Sequence, residues 1–186
     1  MVNIFGKNKR KIEIKDAERL YKQLETGDLE ITKTMIIFVH LTEGVELEDE
    51  YWTYLNKLID TFKESKQLVI LPDRTKIHPN LIGIPEGTEV IKTKTPNAFV
   101  SPGLANFLHT NSEYSQFILV GDEIPLTLLA TNLRSYLLEW NVPSNVIVPI
   151  EGIVPSIKKK QLDSSVYDLL SETDVDMVHY HLNEAP

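Results

Sequence analysis

Residues 116–140 read QFILVGDEIPLTLLATNLRSYLLEW, and this stretch decides the fold. Its first part, 116–120, is a short apolar run, which is typical of a strand covered on both faces. Its last part repeats apolar residues at helical spacing, at Leu126, Leu129, Ala130, Leu133, Leu137 and Trp140. A turn at 121–125 lies between the two. The stretch therefore predicts a strand, a turn and an amphipathic helix in direct succession.

The chain before this unit shows the same alternation. A short unbroken apolar run at 35–39 predicts a core strand, and further short strands are predicted at 67–71 and 89–92. Ser101 and Pro102 suit the start of a short helix, because serine caps helices and proline is favoured in the first helical turn. Another helix is predicted from an apolar face that comprises Trp52, Leu55, Leu58, Ile59 and Phe62.

The two ends of the chain complete the pattern. Downstream, strands are predicted at 145–149 and 176–180, with a helix around 166–170 between them. Helical spacing over 16–26, ended by Gly27, predicts an N-terminal helix. Alternation of this kind indicates the α/β class: a three-layer αβα fold with a Rossmann-like, mostly parallel sheet and helices on both faces. With 186 residues, of which 42% are hydrophobic, one domain over 1–186 is expected.

The balance of charge disfavours nucleic acid as a partner. The chain has 27 acidic and 19 basic residues, a formal net charge of −8, whereas affinity for nucleic acid comes mainly from lysine and arginine. Four positive charges nevertheless fall within 7–11. We interpret residues 1–15 as a solvated basic leader.

Cysteine is absent from the chain. This absence excludes catalysis by a thiolate, disulfide bonds and zinc–thiolate sites. No apolar run approaches the roughly 18 residues that would span a membrane. We therefore expect a cytoplasmic protein that does not enter the membrane.

Polar residues follow several of the predicted strands. In open parallel sheets, ligands bind beyond the carboxyl ends of the strands. The chain places His40, Asp73, Lys92 and Lys94 there, together with the turn that begins at Gly121. An imidazole has a reference pKa of about 6.5, which suits proton transfer. These residues are the first candidates for a functional site.

The turn and the helix start resemble a motif of the isochorismatase-like cysteine hydrolases. In that family, a glycine is followed six residues later by a cysteine and an aliphatic residue, and four residues beyond the cysteine by a threonine. Here Gly121 is followed by Thr127, Leu128 and Thr131 in those places. The resemblance makes Thr127 the counterpart of the nucleophile.

Two upstream stretches are similar to the same family. Residues 85–99 resemble its segment in which a lysine precedes a Ser-Ala-Phe-like turn, with Lys92 and Lys94 as the candidate lysines. The first predicted core strand resembles one that ends in an aspartate in the family and in His40 here. The resemblance covers roughly residues 33–181 and rests on the order of these motifs.

What the resemblance implies is a hydrolase scaffold with altered catalytic positions. The family's amide hydrolases use cysteine as nucleophile, aspartate as base and lysine as stabiliser, and the members that cleave the vinyl ether of isochorismate use the aspartate as general acid. This chain has Thr127 and His40 in the places of cysteine and aspartate, and a threonine hydroxyl is a far poorer nucleophile than a thiolate. We expect a catalytically degenerate member that acts by binding or assembly.

A hydrolase of unusual mechanism is the alternative, in which His40 and Lys92 or Lys94 act on an ether or ester. On either hypothesis, the residues expected to contact a ligand are Asp73, Gly121, Ile124, Pro125 and Thr131. A nucleotide-binding Rossmann module is disfavoured, because no glycine-rich loop follows the first core strand.

We expect neither a metal nor a cofactor. Asp73 and His78 lack the second histidine that completes a metal site in some relatives of the family. Because members of the family usually form homo-oligomers, the resemblance implies a homo-oligomer, besides a small-molecule ligand or a protein partner. Aromatic residues that would anchor such an interface, where they are exposed, are Tyr51, Trp52, Tyr54 and Trp140.

Overall fold

The computed structural model describes residues 22–155 and 164–182. Its strands are β1 (Lys22–Glu25), β2 (Thr34–Val39), β3 (Lys66–Pro72), β4 (Glu89–Thr93), β5 (Gln116–Asp122), β6 (Asn145–Pro149), β7 (Ile153–Val154) and β8 (Asp176–His181). Its helices are α1 (Asp49–Thr61), α2 (Pro102–Thr110), α3 (Glu123–Glu139) and α4 (Ser164–Glu172). None of these helices has the length and apolar character needed to cross a membrane.

The described strands form one parallel sheet. Their order is β1-β8-β6-β5-β2-β3-β4, with β7 paired to β5, and every pair is parallel. All six residues of β2 are buried, as expected for a strand in the middle of a sheet that is covered on both faces. The predicted α/β class and its parallel sheet are confirmed.

Helices cover both faces of this sheet. Because side chains alternate along a strand, Ile36 and Phe38 of β2 belong to one apolar cluster with Leu55 and Leu58 of α1. Their neighbours on β2 belong to a second cluster, which includes residues of α2, α3 and α4: Met35, Ile37, Val39, Leu104, Leu126, Leu129, Leu133 and Leu170. The sheet thus separates two helical layers, which gives the predicted three-layer αβα arrangement.

The N-terminal part of the described chain departs from the prediction. Residues 22–25, predicted as part of a helix over 16–26, form β1, which pairs in parallel with β8. A strand edge offers unpaired backbone hydrogen bonds, and pairing with it outweighs a weak local helical spacing. Leu24 is buried by this pairing. Residues 16–21 of the predicted helix and the basic leader 1–15 lie outside the described residues.

Gly121 allows β2 and β5 to lie side by side at their carboxyl ends. It pairs in register with Val39 of β2, and its φ is +138°. A Cβ atom at this position would lie 2.0 Å from the carbonyl oxygen of Val39. No side chain fits at that distance, so the glycine is required by the strand packing as well as by the turn.

We expect Gly121→Ala to lower the free energy of unfolding by at least about 2 kcal/mol, because both the clash with the Val39 carbonyl and the positive φ must be accommodated. Gly44→Ala is the matched control, since a Cβ there would meet nothing within 4 Å. The control should change stability by less than about 1 kcal/mol. Urea unfolding followed by circular dichroism measures both values, and equal losses in the two variants would contradict this account.

Candidate functional site

The strand order reverses between β2 and β5, which are neighbours in the middle of the sheet. From β2 the chain moves outward to β3 and β4, whereas from β5 it moves in the other direction to β6 and β8. Such a reversal leaves a crevice beyond the carboxyl ends of the two strands, where ligands of open α/β sheets bind. His40 follows β2, and Gly121 lies near the end of β5 with Val39 as its partner. Both residues therefore lie at this crevice.

His40 occupies a constrained position at the end of β2. Its φ of +55° is in the left-handed region, and its backbone N–H donates to the carbonyl of Ile70 at 2.8 Å. Its Nε2 atom lies 3.4 Å from Oγ1 of Thr93. Burial lowers the pKa of the imidazole from 6.5 to about 4. The ring is therefore neutral near neutral pH, since the buried site disfavours its charged form.

The side chain that approaches His40 belongs to Thr93 and not to a lysine. Thr93 is 4% exposed, whereas Lys92 before it is exposed and its Nζ donates to the carbonyl of Thr75. Lys94 is also exposed. Neither predicted lysine has a described contact with His40. The alternation of side chains along β4 was the signal that could have singled out Thr93.

Thr127 lies in the first turns of α3. Its side chain is buried, and Oγ1 donates to the backbone carbonyl of Glu123 at 2.6 Å. A carbonyl oxygen is not a base, so this bond holds the hydroxyl proton and does not remove it. Thr131 repeats the arrangement one turn later and donates to the carbonyl of Thr127 at 3.0 Å. Both hydroxyls thus bond to the backbone of their own helix, as helical threonines often do.

Asp122 fixes the turn between β5 and α3. Its side chain caps the helix by accepting from the N–H of Ile124 at 3.4 Å. Of the predicted ligand contacts in this turn, Ile124 is 52% exposed, whereas Pro125 is buried. Glu123 between them is 2% exposed. It is a buried acidic residue that the sequence analysis did not single out.

Asp73 lies beside Thr93 at the same edge of the sheet. Its backbone N–H donates to the carbonyl of Thr93 at 2.8 Å. Its carboxylate accepts from the N–H of Arg74 at 3.0 Å, and the residue is exposed. The fold therefore brings Asp73, Thr93 and His40 to one rim of the crevice.

Within 22–155 and 164–182, no three His, Asp or Glu residues are grouped so that they could hold a metal ion. His78, the histidine considered as a partial ligand set with Asp73, has other contacts. Its Nδ1 accepts from the N–H of Asn80 at 3.1 Å, and its ring stacks on Trp52 with the centroids 4.0 Å apart. These contacts give His78 a packing role in its loop.

No protein-family model matches this sequence, and no curated protein matches it. Solved structures do match its fold. MAR1 ribonuclease from Caenorhabditis elegans gives a TM-score of 0.61 at 16% identity over 81% of this chain and 78% of that chain. The YcaC gene product of Escherichia coli, described as an octameric hydrolase of unknown specificity, gives 0.62 at 14% identity over 86% and 79%. The nicotinamidase SaPncA from Staphylococcus aureus gives 0.59 at 12% identity over 79% and 98%.

These structural neighbours are isochorismatase-like hydrolases. The fold is isochorismatase-like. At 12–16% identity the likeness concerns the fold and does not extend to the chemistry.

We expect His40 to stay neutral in the folded protein until the pH approaches about 4, because burial lowers its pKa to that value. Between pH 6.5 and about 4 the unfolded state then binds a proton that the folded state does not. The contribution of His40 to the free energy of unfolding therefore falls as the pH falls through this window.

NMR titration of the histidine ring signals measures this pKa directly. The variant His40→Asn identifies the His40 signal, because asparagine tolerates a positive φ better than most residues. A His40 ring that titrates near pH 6.5 would contradict the buried, neutral state.

Proposed function

We propose that this chain is a catalytically degenerate isochorismatase-like protein that acts by binding a ligand or by assembly, without cysteine-type hydrolysis. The observation that supports this proposal most is the state of Thr127. It stands where the resemblance expects a nucleophilic cysteine, and its buried hydroxyl donates to the carbonyl of Glu123 at 2.6 Å. The chain contains no cysteine that could replace it.

Hydrolysis by covalent catalysis needs a nucleophile, a base that activates it and a group that stabilises developing charge. A buried imidazole with a pKa of about 4 is a weak base, so His40 is poorly suited to deprotonate a hydroxyl. Lys92, the candidate stabiliser, donates to the carbonyl of Thr75. The nucleophile and the base are therefore weakened in this chain, and one of the two candidate lysines is bonded to the backbone.

The crevice keeps groups that suit ligand binding. His40 is half-buried and uncharged at neutral pH, and its imidazole lies beside the buried hydroxyl of Thr93. Such groups both donate and accept hydrogen bonds, and they fit an uncharged polar molecule better than an anion. Ile124, exposed at the start of α3, adds an apolar surface on the β5 side of the crevice.

A working hydrolase that uses His40 with Lys92 or Lys94 on an ether or ester is the competing proposal. One observation favours it. His40 has a φ of +55° at the mouth of the crevice, and residues held in sparsely populated conformations cluster at functional sites.

We expect the purified protein to turn over none of the substrates suggested by the names of its neighbours, which are nicotinamide, pyrazinamide and RNA, nor isochorismate or simple esters. Product formation measured by chromatography is the readout, with an authentic nicotinamidase as positive control. Turnover that disappears in His40→Asn, while circular dichroism shows that this variant is folded, would overturn the proposal and favour the competing hydrolase.

We expect Thr127→Cys, which would contain the chain's single thiol, to gain no amidase activity and to react slowly with iodoacetamide. Thr53→Cys is the matched control, because Thr53 makes the same bond to the fourth residue before it, at 2.9 Å, but is exposed. Burial of residue 127 should slow labelling by about 100-fold or more relative to the control. Faster labelling at 127 than at 53, or hydrolysis of nicotinamide, would show that the site is reactive.

A further inference from the structure

Three aromatic residues form a row across the surface of α3 and the segment that packs on it. The ring centroids of Phe99 and Tyr136 lie 5.9 Å apart, and those of Tyr136 and Trp140 lie 6.1 Å apart. Trp140 is 68% exposed, whereas Phe99 and Tyr136 are half-buried. We call Phe99, Tyr136 and Trp140 the aromatic row. A tryptophan this exposed gives up most of the stabilisation that burial would provide.

An apolar cavity of about 110 Å³ opens beside the row. It lies between the ends of α2 and α3 and the start of β5, and its apolar lining includes Leu108, Tyr114, Phe117, Tyr136, Trp140 and Val142. Trp140 thus projects from the surface at the rim of a depression of matching chemistry. One patch of the molecule contains both a protruding ring and a recess.

The structure separates Trp140 from the other aromatic residues expected to anchor an interface. Tyr51 and Trp52 are 7% and 5% exposed and pack in the core. They are therefore core residues and not the exposed interface anchors that were considered. Tyr54 is half-buried, and its hydroxyl is enclosed. Helical spacing on α1 turned these residues toward the sheet. Trp140, at the end of α3, is the member of that set left at the surface.

Charge indicates what covers the patch. The ten residues that line the cavity include no Asp, Glu, Lys or Arg, although the chain has a net charge of −8. Two copies of so acidic a chain repel each other, so they approach most easily where uncharged side chains line the contact, with the exposed Glu113 and Glu139 next to Tyr114 and Trp140 at its rim. A basic partner would instead be attracted to the acidic surface elsewhere.

The size of the patch suits a modest dimer. Aromatic side chains have roughly 150–250 Å² each, and because Phe99 and Tyr136 are half-buried, most of the apolar surface that the row exposes belongs to Trp140. A standard interface buries about 800 Å² per partner, of which somewhat more than half is apolar. The patch therefore supplies part of the apolar centre of such an interface, with Trp140 as its main contact.

We propose that the aromatic row and the adjacent cavity form an interface between two copies of this chain. In a two-fold arrangement, Trp140 of each copy reaches the cavity of the other, because the same patch contains the protruding ring and the recess. The inference deepens the assembly role in the proposed function and rests on it in that respect. The mass of the protein in solution tests the interface, whereas substrate turnover tests the proposed function. Either proposal can therefore fail without the other.

Sedimentation velocity from about 1 to 100 μM measures the mass of the wild type, Trp140→Lys and Leu138→Lys. Leu138 is the matched control, since it lies two residues away on the same helix and is 54% exposed, but it lines a different cleft. We expect the wild type to be at least dimeric, Trp140→Lys to have half that mass or less, and Leu138→Lys to keep the wild-type mass. Circular dichroism checks that both variants are folded.

A wild type that stays monomeric at 100 μM, or a Trp140→Lys variant that keeps the wild-type mass, would overturn the proposal. So would an equal loss of mass in both variants, because that would reflect added charge alone. A second readout uses Trp52→Phe, which leaves Trp140 as the single tryptophan of a chain that has two. Its emission should shift to longer wavelength on dilution as Trp140 becomes exposed, and a constant emission would contradict the proposed contact.

Discussion

The side-by-side pairing of β2 and β5 determines where His40 and the start of α3 lie. It depends on Gly121, since a Cβ there would come within 2.0 Å of the Val39 carbonyl. Because the strand order reverses at this pair, the end of β2 and the start of α3 share one crevice. His40 and the turn before Thr127 are neighbours for this backbone reason, whatever side chains they present.

The crevice keeps its geometry, while several of its side chains bond to the chain's own backbone. Thr127 donates to the carbonyl of Glu123, and Lys92 donates to that of Thr75. His40 is half-buried and neutral, so it neither provides a positive charge nor readily accepts a proton. A fold shared with hydrolases therefore fixes the place of a site but not its reactivity, which depends on these few contacts.

The strongest patterns in the sequence were those produced by buried apolar residues. Continuous apolar runs and helical faces predicted the core strands, the helices and the layered fold, because burial on both faces leaves a clear pattern. The strand at 22–25 was mistaken for helix, since its conformation comes from pairing with β8, a distant segment that local spacing does not reveal. Thr93 was missed because lysines on both sides of it matched the expected chemistry, whereas the pleat of β4 turns the threonine inward.

The most direct test of this account is the acylation of Thr127. The protein is incubated with p-nitrophenyl acetate, and peptide mapping by mass spectrometry locates any acetyl group. We predict no acetylation of Thr127, because its hydroxyl is buried and donates to a carbonyl. An acetyl group on Thr127 that forms in the folded protein and is lost in His40→Asn would contradict the central claim that this site lacks an activated nucleophile.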